Sequence, residues 1–399
     1  MPMYDSILIP TDGSEGAQVA GEVARSLATQ SNAHLHVLFV EESADEAALE
    51  RGATAVETIV DRAADAGVDT TGETIDSGEP VHRAILGYAE DRDVDAIVMG
   101  THGQTRLDQY LLGSVAERTL RESTIPVVTV HEDVEPEAAF DRVLIPTDGS
   151  ESSETAATHG ARLAAATGAE LHAVHVVETG LVRSGSRERG EEYVETAAER
   201  ARDSGVSAVE TAVLEGRPHQ TILAYAAEHD VDWIVMGSHG KTGIRRYLLG
   251  SVTERVVRFA NAPVITVKPP RVTTTVEYLD YAVVDERGWP IDEVFAEAAE
   301  ADLDEAAHGM VEVARDEYIL DAAEAAGLDW PFHCRAGGCV ECAAVVVAGD
   351  LEMEVQRSLS DEEIEERDLR LTCVATPTTD EVKLLYNARH LDVLQDRVL

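Results

Sequence analysis

The most restrictive feature of this sequence is that its first two thirds repeat. Three segments recur at an offset of 136 or 137 residues: Ser6–Glu15 as Arg142–Glu151, Asp95–Gly103 as Asp232–Gly240, and Tyr110–Val115 as Tyr247–Val252. Motifs that recur in one order and with nearly one spacing indicate a duplicated structural unit. The chain therefore contains two copies of one domain.

Each copy alternates short apolar runs with helical stretches. In the first copy the apolar runs are residues 7–9, 35–40, 96–99 and 126–130, and the helical stretches include residues 16–29 and 81–90. This alternation predicts an α/β fold, a doubly wound, Rossmann-like parallel sheet with crossover helices on both faces. We predict the copies over residues 1–135 and 138–270. Because Pro269 and Pro270 cannot continue a central strand, a different domain is expected over residues 272–399.

Two loops carry the chemistry of each copy. One follows the first strand and contains Asp12 or Asp148, and the other follows the fourth strand and reads Gly-x2-Gly-x9-Gly-Ser. The second loop supplies Gly100, Gly103, Gly113 and Ser114 in the first copy, and Gly237, Gly240, Gly250 and Ser251 in the second. Doubly wound sheets bind ligands at the carboxyl ends of their strands, and a glycine loop before a helix N-terminus attracts phosphate. The pattern favours nucleotide binding.

Residues 4–130 and 141–268 resemble the universal stress protein family in its ATP-binding branch, on the strength of these glycine motifs. The resemblance implies that the adenosine contacts Asp12, Val40, Asp148 and Val176. It also implies that the loop glycines and serines hold the ribose and phosphates. Simpler roles stay open, since the valines can be strand core and the aspartates can cap the following turn.

The second copy has more positive charge after its glycine loop. Lys241, Arg245 and Arg246 lie there, whereas the first copy offers Gln104 and Arg106. Because cations form strong hydrogen bonds with phosphate, we predict that the second site binds ATP more tightly. Neither copy shows a nucleophile paired to a base or a Walker lysine, so any ATP hydrolysis should be slow.

All four cysteines fall within 40 residues, spaced as Cys334-x4-Cys339-x2-Cys342-x30-Cys373. Three close thiolates and one distant thiolate are typical of a plant-type [2Fe-2S] cluster. Zinc is the main alternative, although zinc ribbons usually bring two close pairs of ligands. Disulfides are a weaker alternative in a reducing compartment.

The segment 275–399 resembles the plant-type [2Fe-2S] ferredoxins of halophilic archaea, with matching stretches at residues 276–281, 329–337, 370–373 and 382–391. The resemblance implies an α+β β-grasp domain in which residues 290–308 form an acidic helical insertion. It assigns the four cysteines as cluster ligands, and it implies single-electron transfer near −400 mV. Two departures lie in the cysteine loop, His333 and Glu341, which either influence the cluster or merely face solvent.

Acidic residues outnumber basic ones 76 to 32 and are spread along the whole chain. Repulsion from phosphate backbones argues against nucleic-acid binding. The composition resembles that of proteins from organisms with high internal salt, where a Debye length of about 3 Å at 1 M screens self-repulsion. No apolar run reaches the roughly 18 residues of a membrane helix, and the first residues lack a signal-peptide pattern. We therefore expect a cytoplasmic protein without a membrane partner.

These features predict a one-electron carrier joined to tandem domains that bind ATP or another adenine nucleotide. We expect an oxidoreductase as redox partner, pairing of the two copies within the chain along a sheet edge, and a possible homo-oligomer. One alternative is a redox or energy sensor in which the cluster regulates the nucleotide domains without metabolic electron flow. Another is an enzyme, either a slow ATPase or a reductase component.

Overall fold

The structure of this chain is a computed structural model that divides into two compact units, Met1–Pro269 and Pro270–Leu399. It describes residues 3–41, 46–76, 78–103, 112–135, 139–178, 186–240, 249–270, 272–315, 317–353 and 355–397, with only the backbone for residues 46–48. The first unit contains the repeat, and the second contains the four cysteines. The boundary predicted between residues 135 and 138 stays a prediction, because residues 136–138 lie outside the described ranges.

The first copy alternates strands and helices, as its apolar pattern predicts. Its elements are β1 (Ser6–Pro10), α1 (Glu15–Ser31), β2 (His34–Glu41), α2 (Glu46–Asp65), β3 (Thr70–Asp76), α3 (Val81–Asp91), β4 (Ala96–Gly100), α4 (Ser114–Glu122) and β5 (Val127–Val130). Ile7, Leu8 and Ile9 of β1 are all fully buried. Burial on both faces is typical of a parallel strand between two helical layers. Helix α1 begins after Ser14, whose hydroxyl accepts a hydrogen bond from the Ala17 N–H.

The second copy repeats this order. Its elements are β6 (Arg142–Pro146), α5 (Glu151–Thr167), β7 (Glu170–Glu178), α6 (Ser186–Asp203), β8 (Val209–Gly216), α7 (Pro218–Glu228), β9 (Trp233–Gly237), α8 (Ser251–Phe259) and β10 (Val264–Val267). Helix α5 begins after Ser150, whose hydroxyl caps the Ser153 N–H, as Ser14 does in the first copy. It ends at Gly168, whose φ of 78° lies in the left-handed region that glycine adopts without strain.

The two copies share one ten-stranded sheet in the order β3-β2-β1-β4-β5-β10-β9-β6-β7-β8. Neighbouring strands are parallel within each copy, and the copies meet through the antiparallel pair β5 and β10. Ile265 lies opposite Val128 at this junction, and both side chains are buried. The copies therefore pair within the chain along a sheet edge, as predicted, and each covers the other's exposed strand.

Helices cover both faces of the shared sheet. One apolar core lies between the sheet and α1, α2, α5 and α6 and includes Leu27 and Trp233. The other lies under α3, α4, α7 and α8 and includes Ile85 and Val256. Within the described ranges, none of the helices combines the length and the apolar character needed to cross a bilayer.

The second unit is an α+β domain. Its elements are β11 (Thr273–Asp280), α9 (Tyr281–Arg287), α10 (Val294–Glu300), β12 (His308–Ala314), α11 (Ile319–Ala325), β13 (Ala343–Ala348), β14 (Leu351–Met353), α12 (Asp361–Glu365), β15 (Leu369–Leu371), β16 (Ala375–Pro377), β17 (Glu381–Tyr386), a 3₁₀ turn (Ala388–His390) and α13 (Asp392–Gln395). Five strands form a mixed sheet in the order β12-β11-β17-β13-β15, and β14 pairs with β16. Helix α10 lies in the predicted insertion at residues 290–308.

An aromatic cluster holds the chain where it enters the cysteine loop. The Trp330 ring is buried and stacks on Tyr386 with 4.6 Å between ring centroids. Tyr278 packs edge-on against the same indole at 5.4 Å. These rings come from β11, β17 and the loop itself, so the loop starts from a fixed point in the core.

Candidate functional sites

A cavity of about 400 Å³ opens at the carboxyl ends of β1, β2 and β4 in the first copy. The strand order reverses between β1 and β4, which is where doubly wound sheets bind ligands. The volume lies within the roughly 300–1,000 Å³ of small-molecule sites. All six residues predicted for this site line the cavity: Asp12, Val40, Gly100, Gly103, Gly113 and Ser114.

Asp12 links the turn after β1 to the glycine loop. Its Oδ1 accepts a hydrogen bond from the Ser14 N–H at 2.9 Å, which is the turn-capping role considered above. Its Oδ2 lies on the side of Gly103, where an added Cβ would be only 2.6 Å away. Capping therefore uses one carboxylate oxygen, and the other lies beside Gly103 in the cavity wall.

Helix α4 directs its positive end at the cavity. Gly113 is its N-cap and donates its backbone N–H to the Thr101 carbonyl at 2.8 Å. Ser114 and Ala116 of the first turn line the cavity wall. Backbone N–H groups and the helix dipole therefore favour an anion there, as the Gly-Ser motif predicts.

Two side chains refine the sequence prediction for this cavity. Val40 lines the cavity and also belongs to an apolar core, so its strand-core role is confirmed and its contact with adenosine stays a prediction. Arg51 on α2 lines the cavity as well, and sequence analysis missed it. No motif surrounds Arg51, and its helix lies outside the two loops, so only the fold identifies it as a cation near the site.

The second copy repeats the arrangement. Asp148 accepts the Ser150 N–H at 3.0 Å, and its Oδ2 would overlap a Cβ added to Gly240. Gly250 caps α8 and donates to the Ser238 carbonyl at 2.7 Å. The remaining predicted residues keep their equivalent places: Gly237 ends β9, Ser251 begins α8, and Val176 in β7 packs against the core.

Five residues behind the predicted charge difference lie outside the described ranges: Gln104, Arg106, Lys241, Arg245 and Arg246. The difference in affinity between the two sites therefore stays a prediction from sequence.

The histidines of the glycine loops have a local role. The Nδ1 of His102 lies 3.0 Å from the Thr101 hydroxyl, and the Nδ1 of His239 lies 2.8 Å from the Ser238 hydroxyl. Each ring is thus oriented by the residue before it.

The four cysteines come together in the second unit. Cys334, Cys339 and Cys342 belong to the loop between α11 and β13, and Cys373 follows β15. The sulfurs of Cys334 and Cys339 are 3.2 Å apart, and Cys342 shares a hydrogen bond with Cys373. All four are free thiols, and only Cys334 is partly exposed. One sulfur-rich site thus forms from a tight loop and a distant strand end.

The loop backbone suits thiolate ligands. The N–H groups of Ala336 and Gly338 donate to the Cys334 sulfur at 3.4 and 3.3 Å. Hydrogen bonding from Cys342 lowers the pKa of the Cys373 thiol to about 7, and the same bond raises the pKa of Cys342. Converging sulfurs with backbone N–H donors fit the negative charge of an iron-sulfur cluster.

Gly337 is required by the shape of this loop. Its φ of 64° lies in the left-handed region, and an added Cβ would be 2.5 Å from the Val355 carbonyl oxygen. Gly338, in contrast, would place a Cβ no closer than 3.9 Å to any neighbouring heavy atom, the Cys334 sulfur. Position 337 therefore requires glycine, whereas position 338 has room for a residue with a Cβ.

The two unusual loop residues have different environments. His333 is exposed, in agreement with the solvent-facing alternative. Glu341 is only 5% exposed, and its carboxylate pairs with the Arg389 guanidinium at 2.8 Å. The solvent-facing alternative is wrong for Glu341, which places a buried, compensated charge between the second and third cysteines.

Replacing Glu341 by glutamine should raise the reduction potential of the cluster by tens of millivolts, on a scale where about 59 mV is a tenfold change in a one-electron equilibrium. Removing a buried negative charge favours the added electron, and burial protects the effect from salt. Glu324→Gln is the control, because Glu324 pairs with Arg335 of the same loop at the surface. Protein-film voltammetry in high salt should show a shift for Glu341→Gln alone. Equal potentials for wild type and Glu341→Gln would contradict the prediction.

Known proteins match the two units separately. The universal stress protein family matches residues 3–131 and 139–268, and the 2Fe-2S iron-sulfur cluster binding domain matches residues 305–378. These matches confirm both resemblances and the predicted fold class.

Individual relatives agree with this division. Ferredoxin-1 of Haloarcula marismortui is 58% identical over 127 residues, covering 31% of this chain and 98% of that protein. A universal stress protein of Methanocaldococcus jannaschii is 40% identical over 147 residues, covering 34% of this chain and 86% of that protein. The solved structure of a universal stress protein from Archaeoglobus fulgidus gives a TM-score of 0.52 at 27% identity, covering 66% of this chain and 98% of that one.

Proposed function

Because this chain belongs to the universal stress protein family over its first two thirds and ends in a [2Fe-2S] ferredoxin domain, we propose that it is a one-electron carrier whose stress domains bind adenine nucleotide. The meeting of four sulfurs with backbone N–H donors is the observation that carries this proposal. The cavity at the sheet edge supports the nucleotide part.

The cysteine loop supports electron transfer. Cys334, Cys339, Cys342 and Cys373 would hold a [2Fe-2S] cluster, which gains and loses one electron when bound. Cys334 is the partly exposed member of the four, so electrons would be exchanged with an oxidoreductase partner on its side of the loop. The backbone donors to its sulfur favour added negative charge and so tune the potential.

The cavity of the first copy supports adenine-nucleotide binding. Asp12 and Val40 lie at one part of the cavity wall, where they could contact adenosine. Gly113 and Ser114 lie where α4 begins, and its N–H groups could bind phosphate. Arg51 adds a positive charge on the wall, which suits an anionic ligand.

Purification of the full chain in high salt, without added iron, tests both parts. We expect a coloured protein with the visible and EPR spectra of a [2Fe-2S] cluster, and adenine nucleotide detected by mass spectrometry. The cluster should also be reduced catalytically by a 2-oxoacid oxidoreductase. A colourless, zinc-loaded protein would refute the carrier, and a spectroscopically normal protein that never retains or binds nucleotide would refute only the nucleotide part.

The second nucleotide site should bind ATP more tightly than the first, because Lys241, Arg245 and Arg246 follow its glycine loop. Single-site variants distinguish the two nucleotide sites. Asp12→Asn leaves the second site unchanged, and Asp148→Asn leaves the first site unchanged. Isothermal titration calorimetry should give the lower Kd for Asp12→Asn. Equal affinities in the two variants would refute the predicted difference.

A further inference from the structure

A histidine and two carboxylates meet at the amino ends of β7 and β8, at the opposite sheet edge from the nucleotide loops. Glu170 and His172 are two residues apart on β7 and therefore point to one face. Glu210 on β8 lies beside His172 in the parallel register. One possible ligand atom of each residue lies within 4.8 Å of those of the other two.

One ring nitrogen of His172 has no hydrogen-bond partner. The side chain is 3% exposed, and its Nδ1 bonds the Tyr225 hydroxyl at 2.9 Å. Its Nε2 makes no hydrogen bond and lies 3.8 Å from Glu170 Oε2, which is too far for one. A buried polar atom left without a hydrogen bond is unfavourable, so a ligand at this position is expected.

We propose that Glu170, His172 and Glu210 bind a divalent first-row transition metal ion, of which Zn²⁺ is the probe. Imidazole nitrogen and carboxylate oxygens are common ligands of such ions. Bonds of about 2.0–2.2 Å in tetrahedral geometry hold neighbouring ligand atoms roughly 3.4 Å apart. The observed 3.8 Å between Nε2 and Glu170 Oε2 therefore needs only a small contraction. Glu210 Oε2 lies 3.8 Å from Nδ1, so the Glu210 side chain must turn toward Nε2 to share the ion.

The surroundings of His172 hold its ring in an orientation that suits cation binding by Nε2. Tyr225 fixes the ring through Nδ1, which is the kind of support that orients metal-binding histidines.

Arg142 is the cation that could substitute for a metal here. Its Nε lies 3.8 Å from Glu170, and another of its nitrogens lies 3.8 Å from Asp230, which is exposed. Neither distance is that of a close hydrogen-bonded ion pair. Arg142 can therefore keep Asp230 as a partner while Glu170 binds a metal.

The first copy provides an internal comparison. His36 takes the place of His172, with its Nδ1 3.2 Å from the Tyr88 hydroxyl. The equivalent positions carry no carboxylate, because His34 replaces Glu170 as the neighbour of the first strand and Thr71 replaces Glu210 as the neighbour of the histidine. Asp69 and Glu73 lie nearby, but they bond His34 and Tyr88. Among the described residues, this ligand set therefore occurs in the second copy alone.

A metal at this position would fasten the outermost strand of the sheet. Among the strands that the structure describes, β8 is last in the ten-strand order and pairs with β7 alone. Ligands from both strands would couple them beyond their backbone hydrogen bonds, so a bound ion should raise the thermal stability of the first unit.

Zinc titration of the full chain tests the proposal. With the iron-sulfur cluster assembled and nucleotide removed, calorimetry and metal analysis should show one Zn²⁺ bound per chain. Glu210→Thr introduces the residue found in the first copy and should weaken Zn²⁺ binding by about 100-fold or more. Tyr225→Phe, which removes only the support of the histidine ring, should weaken it by about 10- to 100-fold. Glu215→Thr is the control, since it removes a carboxylate from the same strand outside the site.

The outcomes separate a metal site from a structural ion pair. Wild-type affinity in Glu210→Thr, or the absence of Zn²⁺ binding by the wild type, would overturn the proposal. A zinc X-ray absorption spectrum with sulfur ligands would also overturn it, because no cysteine lies in this part of the chain. Glu170→Gln is a second, nearly isosteric variant, and the visible spectrum and thermal unfolding of each variant establish that it folds.

Discussion

Replacing Gly337 by alanine should prevent stable assembly of the iron-sulfur cluster. The left-handed backbone costs an alanine about 1–2 kcal/mol, and its Cβ would be 2.5 Å from a backbone carbonyl that cannot rotate away. Relief of that overlap would move the adjacent Gly338 N–H, which donates to the Cys334 sulfur. Because about 1.4 kcal/mol is a factor of ten in an equilibrium constant, we expect the affinity for the cluster to fall at least tenfold, with lower iron content and visible absorption after anaerobic reconstitution.

The matched control is the same substitution one residue later. Gly338→Ala has room for its Cβ and keeps the N–H that bonds Cys334, so it should load iron as wild type does. Equal iron contents in the two variants, whether high or low, would contradict the assigned role of Gly337. Far-UV circular dichroism distinguishes failure to bind iron from failure to fold.

Replacing Asp12 by asparagine should weaken ATP binding at the first site about tenfold, the equivalent of about 1.4 kcal/mol. An asparagine oxygen can still accept the Ser14 N–H, so the turn after β1 should survive. The change instead replaces the carboxylate oxygen Oδ2 beside Gly103, a predicted hydrogen-bond acceptor for the adenosine, by an amide NH₂ that cannot accept. Calorimetry in the Asp148→Asn background, fitted to two sites, reports the change at the first site.

Asp12→Asn should leave the unfolding temperature unchanged, because the turn keeps its hydrogen bond. Asp91→Asn, on α3 and outside the cavity lining, makes the same change of charge and should alter neither property. Undiminished ATP affinity in Asp12→Asn would assign the aspartate to the turn alone. A large fall in unfolding temperature would show that the charge serves stability.

Local features of the sequence predicted much of the fold. The buried run Ile7 to Ile9 indicated a central parallel strand, and the Gly113-Ser114 pair indicated where α4 begins. The cysteine spacing predicted that one distant strand end joins a tight loop. Each of these signals comes from periodicity, a cap or a spacing within one stretch of chain, which is the information that a sequence states directly.

The sequence did not predict the partners of particular side chains. Glu341 is neutralised by Arg389, which lies 48 residues further along the chain. Arg51 reaches the cavity from a helix without a motif, and His172 meets Glu210 only because β7 and β8 are adjacent in register. These contacts depend on how elements pack, and no local pattern records which side chains meet across them.

The antiparallel contact between β5 and β10 joins two halves of one chain, so their sequences can change independently of each other. In a homodimer both halves derive from one sequence, so a substitution appears in both, and dilution can separate them by mass action. Here the partner is tethered at a fixed effective concentration, and each half mutates alone. His34 and Thr71 can therefore stand where the other half has Glu170 and Glu210, so the two halves can acquire different binding sites.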